Sequence, residues 1–186
     1  MKRAATARRA RSAPCMPGSI DVMLQPGQYF VGDASHCIRT VLGSCVSITL
    51  WHPARRVGAM SHFLLPHRGL AQRSGPLDAR YGEEALQLML QRLRGEHGVA
   101  PRECEAKVFG GGDMFALGEA HAQVSIGRRN GEAARRLLRA HGIPVRSESL
   151  FGKGHRQICF EVGSGAVWVR VAAALEGRDT LVGGVA

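Results

Sequence analysis

Residues 36–51 read HCIRTVLGSCVSITLW, and residues 57–65 read VGAMSHFLL. Both stretches are rich in the β-branched and apolar residues that strands favour. Gly43-Ser44 interrupts the first stretch and Pro53 separates the two, and glycine and proline commonly mark turns. The pattern therefore predicts three short strands joined by tight turns. These strands span Cys37–Val41, Val46–Trp51 and Val57–Leu65.

The second and third of these strands are predicted to form an antiparallel hairpin that turns at Pro53-Ala54. That turn sets Cys45 directly opposite His62, and opposed residues have Cβ atoms about 4.5–5.5 Å apart. A longer turn moves Phe63 opposite Cys45 and leaves His62 in a diagonal position. In either register the imidazole is expected to reach the sulfur.

The rest of the chain predicts further strands and two amphipathic helices. Apolar residues recur at helical spacing over Asp78–Arg94 and over Ile126–His141, and glycines follow both segments. Strands that lie mostly in hairpins, together with two helices, indicate the α/β (α+β) class, with layered, mainly antiparallel β-sheets covered by helices. The remaining strands are predicted at Ile20–Leu24, Gly27–Val31, Ala106–Phe109, Val145–Leu150, Gln157–Val162 and Ala166–Val171.

Length and composition predict one folded domain with two short ends. Of the 186 residues 45% are hydrophobic and 22% are charged, which is ordinary for a globular domain. Residues 1–19 hold five basic residues and no acidic one, so a disordered basic tail is expected there. A single domain is predicted over residues 20–178, followed by a flexible C-terminus at residues 179–186.

Charge and hydropathy restrict the functional class. No apolar run is long enough to cross a membrane, and the basic N-terminus lacks the apolar segment of a secretory signal. We therefore expect a cytoplasmic location without membrane insertion. The net charge of +10 raises nucleic-acid binding. However, arginine and aromatic residues are not interleaved as in stacking platforms, so the charge fits an acidic protein or a membrane-proximal partner at least as well, and no nucleic acid is expected.

The five cysteines are Cys15, Cys37, Cys45, Cys104 and Cys159. They are odd in number and form no C-x-x-C motif, so neither a disulfide framework nor a zinc knuckle is predicted. Reduced thiols are the expectation. Cys104 and Cys159 lie in apolar runs, where a cysteine usually acts as a small buried hydrophobe.

Cys45 and His62 have the residue types of a nucleophile and its base. A free thiol with a pKa of about 8.5 is mostly protonated at neutral pH. A histidine in contact with it can stabilise the thiolate as an ion pair and later return the proton to a leaving amine. The turn at Gly43 and Ser44 is expected to lift Cys45 out of the sheet and to offer backbone N–H groups for an oxyanion hole. Thr40 is the nearest group that could orient the base.

A purely structural interpretation of the same residues stays open at this point. A G-S-C-V segment can place a small residue in a core, and His62 can be a buried histidine whose hydrogen bonds are satisfied. His36, His52 and His67 are alternative bases. Each of them lies in a predicted loop, where an exposed histidine is the expected state.

Several segments resemble the CheD-type chemoreceptor glutamine deamidase family in their order and spacing. The resemblance covers roughly residues 20–171. The segments are L-G-S-C-V at 42–46, G-A-M-S-H-F-L-L-P at 58–66, K-V-F-G-G-G at 107–112 with a nearby Met-Phe, and I-G-R-R-N at 126–130.

This resemblance implies a layered fold like the deamidase domains of certain bacterial toxins, and a Cys–His–Thr triad. By position it makes Cys45 the nucleophile, His62 the base and Thr40 the orienting hydroxyl, with Ser44 as the alternative to Thr40. It implies cofactor-free hydrolysis of glutamine side chains to glutamate on methyl-accepting chemotaxis receptors, through a thioester intermediate, which regulates chemotaxis signalling. Receptor methyl esters are a further implied substrate, and the receptor's cytoplasmic helices and a CheC-type phosphatase are the implied partners. A non-catalytic chemotaxis adaptor on the same fold is the alternative function.

Overall fold

A computed structural model describes residues 15–69, 74–113, 125–172 and 180–185 of the chain. Most of the predicted basic tail lies outside that part, as do the Met-Phe pair that follows the glycine run and residues 173–179. No helix of the described residues is both long enough and apolar enough to span a membrane.

The described residues form two helices and two five-stranded sheets. The helices are α1 (Gly82–His97) and α2 (Ile126–Ala140). The strands are β1 (Ile20–Met23), β2 (Tyr29–Gly32), β3 (His36–Leu42), β4 (Val46–His52), β5 (Val57–Ser61), β6 (Glu105–Gly110), β7 (Val145–Leu150), β8 (His155–Glu161), β9 (Val167–Ala172) and β10 (Thr180–Val185).

The central sheet has the strand order β2-β5-β4-β6-β7 and carries both helices on one face. Alternate residues of its strands point toward the helices, as the two-residue period of a strand requires. Ile48 and Leu50 of β4 pack there in one fully buried cluster with Met89 of α1 and Leu138 of α2. The apolar faces predicted for both helices are therefore the faces that the structure buries.

The outer sheet has the strand order β1-β3-β8-β9-β10 and covers the other face of the central sheet. Ile38 and Phe160 of the outer sheet share a second core with Met60 and Phe109 of the central sheet. The two sheets approach so closely at Gly58 that a Cβ there would lie 2.8 Å from the Phe160 ring. The molecule thus has three layers, with helices, central sheet and outer sheet in that order.

The predicted fold class is confirmed, with the helices on one of the two sheets only. Among the described residues six neighbouring strand pairs are antiparallel. The two parallel pairs are β1 with β3 and β6 with β7. Helix α1 begins at Gly82 rather than at Asp78, because Tyr81 is extended and pairs with Leu65 in an isolated bridge.

The register predicted for the β4–β5 hairpin is wrong by two residues. The strands pair Thr49 with Met60 and His52 with Val57, so the loop holds the four residues 53–56 instead of turning at Pro53-Ala54. A hydrogen bond of 2.9 Å from the Arg56 N–H to the His52 carbonyl closes this wider loop. Because an isolated bridge continues the register to Val46 and Phe63, the residue opposite His62 is Ser47 rather than Cys45.

Both ends of the described chain differ from expectation. The predicted flexible C-terminus contains β10, which pairs with β9, so backbone pairing at a sheet edge outweighs the weak strand preference of its two glycines. At the other end Cys15 lies against the outer sheet and forms a disulfide with Cys37, although reduced thiols were expected. Because these cysteines lie 22 positions apart, the sequence pattern did not indicate that they are close in space.

Candidate active site

A short crossover, residues 43–45, connects β3 of the outer sheet to β4 of the central sheet. The backbone carbonyls of the crossover are held by the glycine run after β6. The Gly112 N–H donates to the Gly43 carbonyl at 2.8 Å, and the Gly111 N–H donates to the Cys45 carbonyl at 2.8 Å. Cys45 is therefore fixed at the edge of the space between the two sheets.

Backbone conformation and lack of space both require glycine at positions 110–112. Gly110 and Gly111 have φ values of 110° and 65°, in the left-handed region that favours glycine. A Cβ on Gly110 would also collide with the Cys45 carbonyl oxygen, and one on Gly112 would lie 2.6 Å from the Gly154 carbonyl oxygen. The run is thus a tight turn that lets the backbone after β6 approach the crossover.

Asn130 of α2 fixes the crossover from the helix side. Its side-chain amide donates to the Ser44 carbonyl at 3.1 Å and to the Leu64 carbonyl at 2.8 Å. Its side chain is fully buried. Asn130 belongs to the I-G-R-R-N segment at 126–130, and no role was predicted for it. A polar residue among Gly127, Gly131 and Ala134 on the buried face of a helix was the available signal.

His62 follows β5 directly and is anchored by its own backbone. Its N–H donates to the Gln28 carbonyl at 2.8 Å, and its carbonyl accepts from the Gly27 N–H at 2.7 Å. The side chain is buried. These bonds tie the segment after β5 to the loop before β2, so the position of the imidazole is set by two neighbouring segments of the chain.

Thr40 lies on the inner face of β3 and contacts the imidazole. Its Oγ1 is 2.7 Å from Nδ1 of His62 and donates its hydrogen to the Leu24 carbonyl at 2.8 Å. Because the single hydroxyl hydrogen is used on Leu24, Nδ1 has to be the donor to Oγ1. This hydrogen-bond pattern assigns the proton to Nδ1 and leaves Nε2 with a free lone pair. Nε2 is buried and has no hydrogen-bond partner among the described residues.

Cys45 and His62 lie on the same face of the hairpin. With Val46 opposite Phe63, continuing the ladder sets Cys45 opposite Leu64, two residues from His62. Such diagonal neighbours are about 7–8 Å apart and remain within reach of long side chains. Cys45 packs against the core between the two sheets, which is the side on which Thr40 meets His62. The structure thus brings these three predicted residues to one region, with Cys45 and His62 diagonal.

Burial shifts both candidate reacting groups toward their neutral forms. It lowers the pKa of the His62 imidazole from 6.5 to about 4, and it raises the pKa of the Cys45 thiol above its usual value. Desolvation penalises a charge on either group. Burial therefore favours the neutral thiol and the neutral imidazole over the ion pair expected from the sequence.

Backbone donors are available beside the sulfur. The carbonyls of Gly43, Ser44 and Cys45 are bonded as described above, whereas the N–H groups of Gly43 and Ser44 donate to no backbone carbonyl of the described residues. The N–H of Cys45 points toward its own sulfur. All three residues are only partly buried. Their amides can consequently meet a bound ligand. Ser44 is held through its carbonyl by Asn130, and Thr40 rather than Ser44 is the residue in contact with His62.

The other histidines considered from the sequence lie in different surroundings. His36 pairs through Nδ1 with Asp33 at 2.9 Å, and Nδ1 of His52 accepts the Arg55 N–H at 3.2 Å. His67 lies in the loop before α1. Among the described residues, neither His36 nor His52 forms a hydrogen bond with the Thr40 hydroxyl.

Comparison with known proteins places this chain in a family. The sequence model described as CheD chemotactic sensory transduction matches residues 64–171. A protein of Albidiferax ferrireducens named probable chemoreceptor glutamine deamidase CheD 2 is 62% identical over 149 residues, which cover 80% of this chain and 86% of that protein. The chain belongs to the CheD family.

Two more relatives in the CheD family extend this similarity. The protein of Dechloromonas aromatica is 43% identical to this chain, and the match covers 80% of this chain and 86% of that protein. The protein of Pseudomonas syringae pv. tomato is 37% identical, and the match covers 82% of this chain and 90% of that protein. Both are named probable chemoreceptor glutamine deamidases. The 149 residues aligned with the Albidiferax protein begin no later than residue 38 of this chain, so that alignment includes Thr40, Cys45 and His62.

Among solved structures, the crystal structure of the Bacillus licheniformis hypothetical protein YfiH is similar, with a TM-score of 0.39 and 15% identity. The match covers 64% of this chain and 49% of the YfiH chain. A similarity of this size carries no argument about this member of the CheD family.

Proposed function

We propose that this chain is a chemoreceptor glutamine deamidase in which Cys45 is the nucleophile and His62 the general base. The observation that carries the proposal is the hydrogen bond from Nδ1 of His62 to Thr40, because it leaves the lone pair of Nε2 free on the side of the hairpin where Cys45 lies. The names of the CheD relatives support the reaction and the substrate class.

In the first half-reaction the amide becomes a thioester. Nε2 of His62 takes the proton of the Cys45 thiol as the sulfur attacks the side-chain carbonyl carbon of a glutamine. The imidazolium then gives this proton to the amide nitrogen, and the carbon–nitrogen bond breaks to release ammonia. A neutral Cys45 and a neutral His62 suit this order of steps, since the base has its lone pair free until substrate is bound.

In the second half-reaction water hydrolyses the thioester and displaces the Cys45 sulfur from the acyl carbon. Neutral His62 takes a proton from a water molecule, whose oxygen attacks the thioester carbon, and the carbon–sulfur bond breaks. The proton returns to the sulfur, so that Cys45 is restored and a glutamate side chain leaves. Each cycle thus consumes one water and releases one ammonia, and no cofactor takes part.

Charge on the substrate oxygen is stabilised by the crossover. The backbone N–H groups of Ser44 and Cys45 are our candidates for the oxyanion hole, with the Gly43 N–H beside them. Hydrogen bonds from Asn130 and the glycine run keep the crossover in shape before substrate arrives. Such preorganisation matters because a donor that is already in place needs no rearrangement during the reaction.

The substrate is proposed to be a glutamine on the cytoplasmic helices of a methyl-accepting chemotaxis receptor, which assigns the enzyme to the cytoplasm. The exposed side of α2 is basic and lies next to the crossover that Asn130 holds. A basic surface favours the approach of an acidic protein segment. A CheC-type phosphatase is a second proposed partner. The exposed arginines of α2 are Arg128, Arg129, Arg136 and Arg139.

The test is incubation of the chain with a receptor cytoplasmic fragment, followed by ammonia determination and intact-mass analysis. We expect ammonia in proportion to the number of amides converted to acids, with peptide mapping locating them at glutamines. Cys45→Ala should release none while it still binds the fragment. A non-catalytic adaptor would bind the fragment and release no ammonia in either form, and that result would sink the proposal.

A further inference from the structure

A cluster of three cysteines lies on the outer sheet, on the side that faces away from the core between the sheets. Cys37 is the second residue of β3 and Cys159 lies near the middle of β8, while Cys15 precedes β1. Sγ of Cys159 is 2.9 Å from Sγ of Cys37 and 3.1 Å from Sγ of Cys15. We call Cys15, Cys37 and Cys159 the sulfur cluster.

The sulfur cluster is separate from the candidate active site. Cys37 and Cys159 belong to the face of the outer sheet opposite to Thr40, because Arg39 and not Thr40 is the pairing partner of Cys159. Cys37 and Cys159 are almost fully buried and Cys15 is half-buried. The deamidase mechanism uses none of these three thiols, although they converge from distant parts of the chain.

We propose that the sulfur cluster, when its disulfide is reduced, binds one thiophilic cation such as Zn²⁺ through three thiolates. All three sulfur atoms lie within 4.8 Å of one another, which a single ion can span. Cysteine thiolates are the preferred ligands of Zn²⁺ and of other soft cations. With three protein ligands, the fourth position of a tetrahedral ion is left to water.

Once the disulfide is reduced, the sulfur atoms of Cys15 and Cys37 have to separate from their bonded distance of about 2 Å. Sulfur ligands of Zn²⁺ lie about 2.3 Å from the ion, so their mutual distance is about 3.8 Å in a tetrahedral site. Cys159 therefore has to move by roughly 1 Å from each neighbour. Rotation of half-buried Cys15 at the edge of the sheet can supply this space.

A cationic side chain lies next to the sulfur cluster. Arg39 donates an N–H to Sγ of Cys15 at 3.0 Å, and it is itself held by Asp21 at 2.7 Å. Three thiolates around one divalent ion carry a net charge of −1, which the guanidinium offsets in part because it is also paired with Asp21. Hydrogen bonds of this kind orient ligands and tune metal affinity.

A water-soluble phosphine cleaves the Cys15–Cys37 disulfide, taking up the oxygen of one water to become the phosphine oxide while two thiols form. Binding of the ion then displaces three thiol protons. In the absence of metal, burial raises the pKa of Cys159 to about 11, and coordination removes its proton because the ion stabilises the thiolate.

The experiment titrates the phosphine-reduced full chain with Co²⁺ under anaerobic conditions, and then displaces Co²⁺ with Zn²⁺. We expect one ion per chain, with thiolate-to-cobalt charge-transfer absorption and proton release. Losing a hydrogen-bond partner of a metal ligand costs about 10- to 100-fold in affinity, so losing a ligand should raise the Kd about a hundredfold or more. Cys15→Ser and Cys159→Ser should both show this loss.

The controls separate this site from the proposed function. Cys104→Ser removes a thiol that lies in the core between the helices and the central sheet, and Cys45→Ser removes the proposed nucleophile. Both variants should keep the Co²⁺ spectrum. Cys15→Ser changes a half-buried residue, and circular dichroism with thermal melting will show that it is folded. Absence of binding by the reduced chain, binding that survives both Cys15→Ser and Cys159→Ser, or loss of binding in Cys45→Ser would overturn the proposal.

Discussion

The contact between Thr40 and His62 allows a prediction whose size follows from the structure. Thr40→Val keeps the volume of a buried side chain and removes its hydroxyl. The change leaves the Leu24 carbonyl and the Nδ1–H of His62 without their partner. An unpaired buried polar group costs about 1–3 kcal/mol, so we expect a loss of about 2–6 kcal/mol of unfolding free energy.

The effect on the reaction should be separable from the effect on stability. Without Oγ1, nothing holds the proton on Nδ1 and nothing accepts a hydrogen bond from the imidazolium that forms during attack. A loss of about 1–3 kcal/mol at this point corresponds to a fall in kcat of about 5- to 160-fold. Since Thr40 is not proposed to touch the substrate, KM should change little.

Thr40→Ser is the matched control, because it keeps the hydroxyl and loses one methyl group. We expect a loss of about 1 kcal/mol in stability and a kcat within a few-fold of the wild type. The assays are ammonia release from a receptor fragment and the rate of Cys45 alkylation, measured at a temperature where all variants are folded. A Thr40→Val enzyme with the wild-type kcat, or a Thr40→Ser enzyme as slow as Thr40→Val, would refute the orienting role.

Five further results are expected. Cys45→Ala should abolish ammonia release without unfolding the chain, whereas Cys104→Ala should retain activity; activity in the first variant would exclude a covalent intermediate. Because the pKa of His62 is about 4, below its usual 6.5, kcat/KM should stay level from pH 7 to about pH 5 and fall near pH 4, and a fall already centred at 6.5 would contradict this. The same shift makes the unfolded state bind more protons than the native state, so unfolding experiments should show stability declining as the pH drops from about 6.5 to about 4, by up to about 3 kcal/mol. Asn130→Ala should lower both the melting temperature and kcat, because the Ser44 and Leu64 carbonyls lose their donor, and an unchanged kcat would remove Asn130 from the support of the crossover. Deletion of residues 1–14 should leave kcat unchanged and weaken receptor binding only at low salt, since exposed charges act over about 8 Å at physiological ionic strength; a fall in kcat that persists at high salt would show that the tail belongs to the folded domain.

Local patterns predicted most of the strands and both helices, because the strand and helix periods are written in short runs of sequence. The element boundaries differ by a few residues where a tertiary contact intervenes, as at Tyr81, which pairs with Leu65 instead of starting α1. Residues that meet through long-range contacts were outside the reach of such patterns. Asn130 contacts Ser44 across 86 residues, and Cys159 contacts Cys15 across 144. Their convergence depends on how the layers stack.

The register of the β4–β5 hairpin explains why the candidate site could be predicted although the pairing was wrong. Successive side chains of a strand point to opposite faces, so a shift of one residue exchanges the faces while a shift of two preserves them. The loop at residues 53–56 shifts the pairing by two. His62 therefore stays on the side of the outer sheet, where Thr40 of β3 can accept its hydrogen bond, and Phe63 stays in the core beneath the helices. A shift of one residue would have put Phe63 beside Cys45 and buried the imidazole against α1, and no hydroxyl of β3 could then have oriented it.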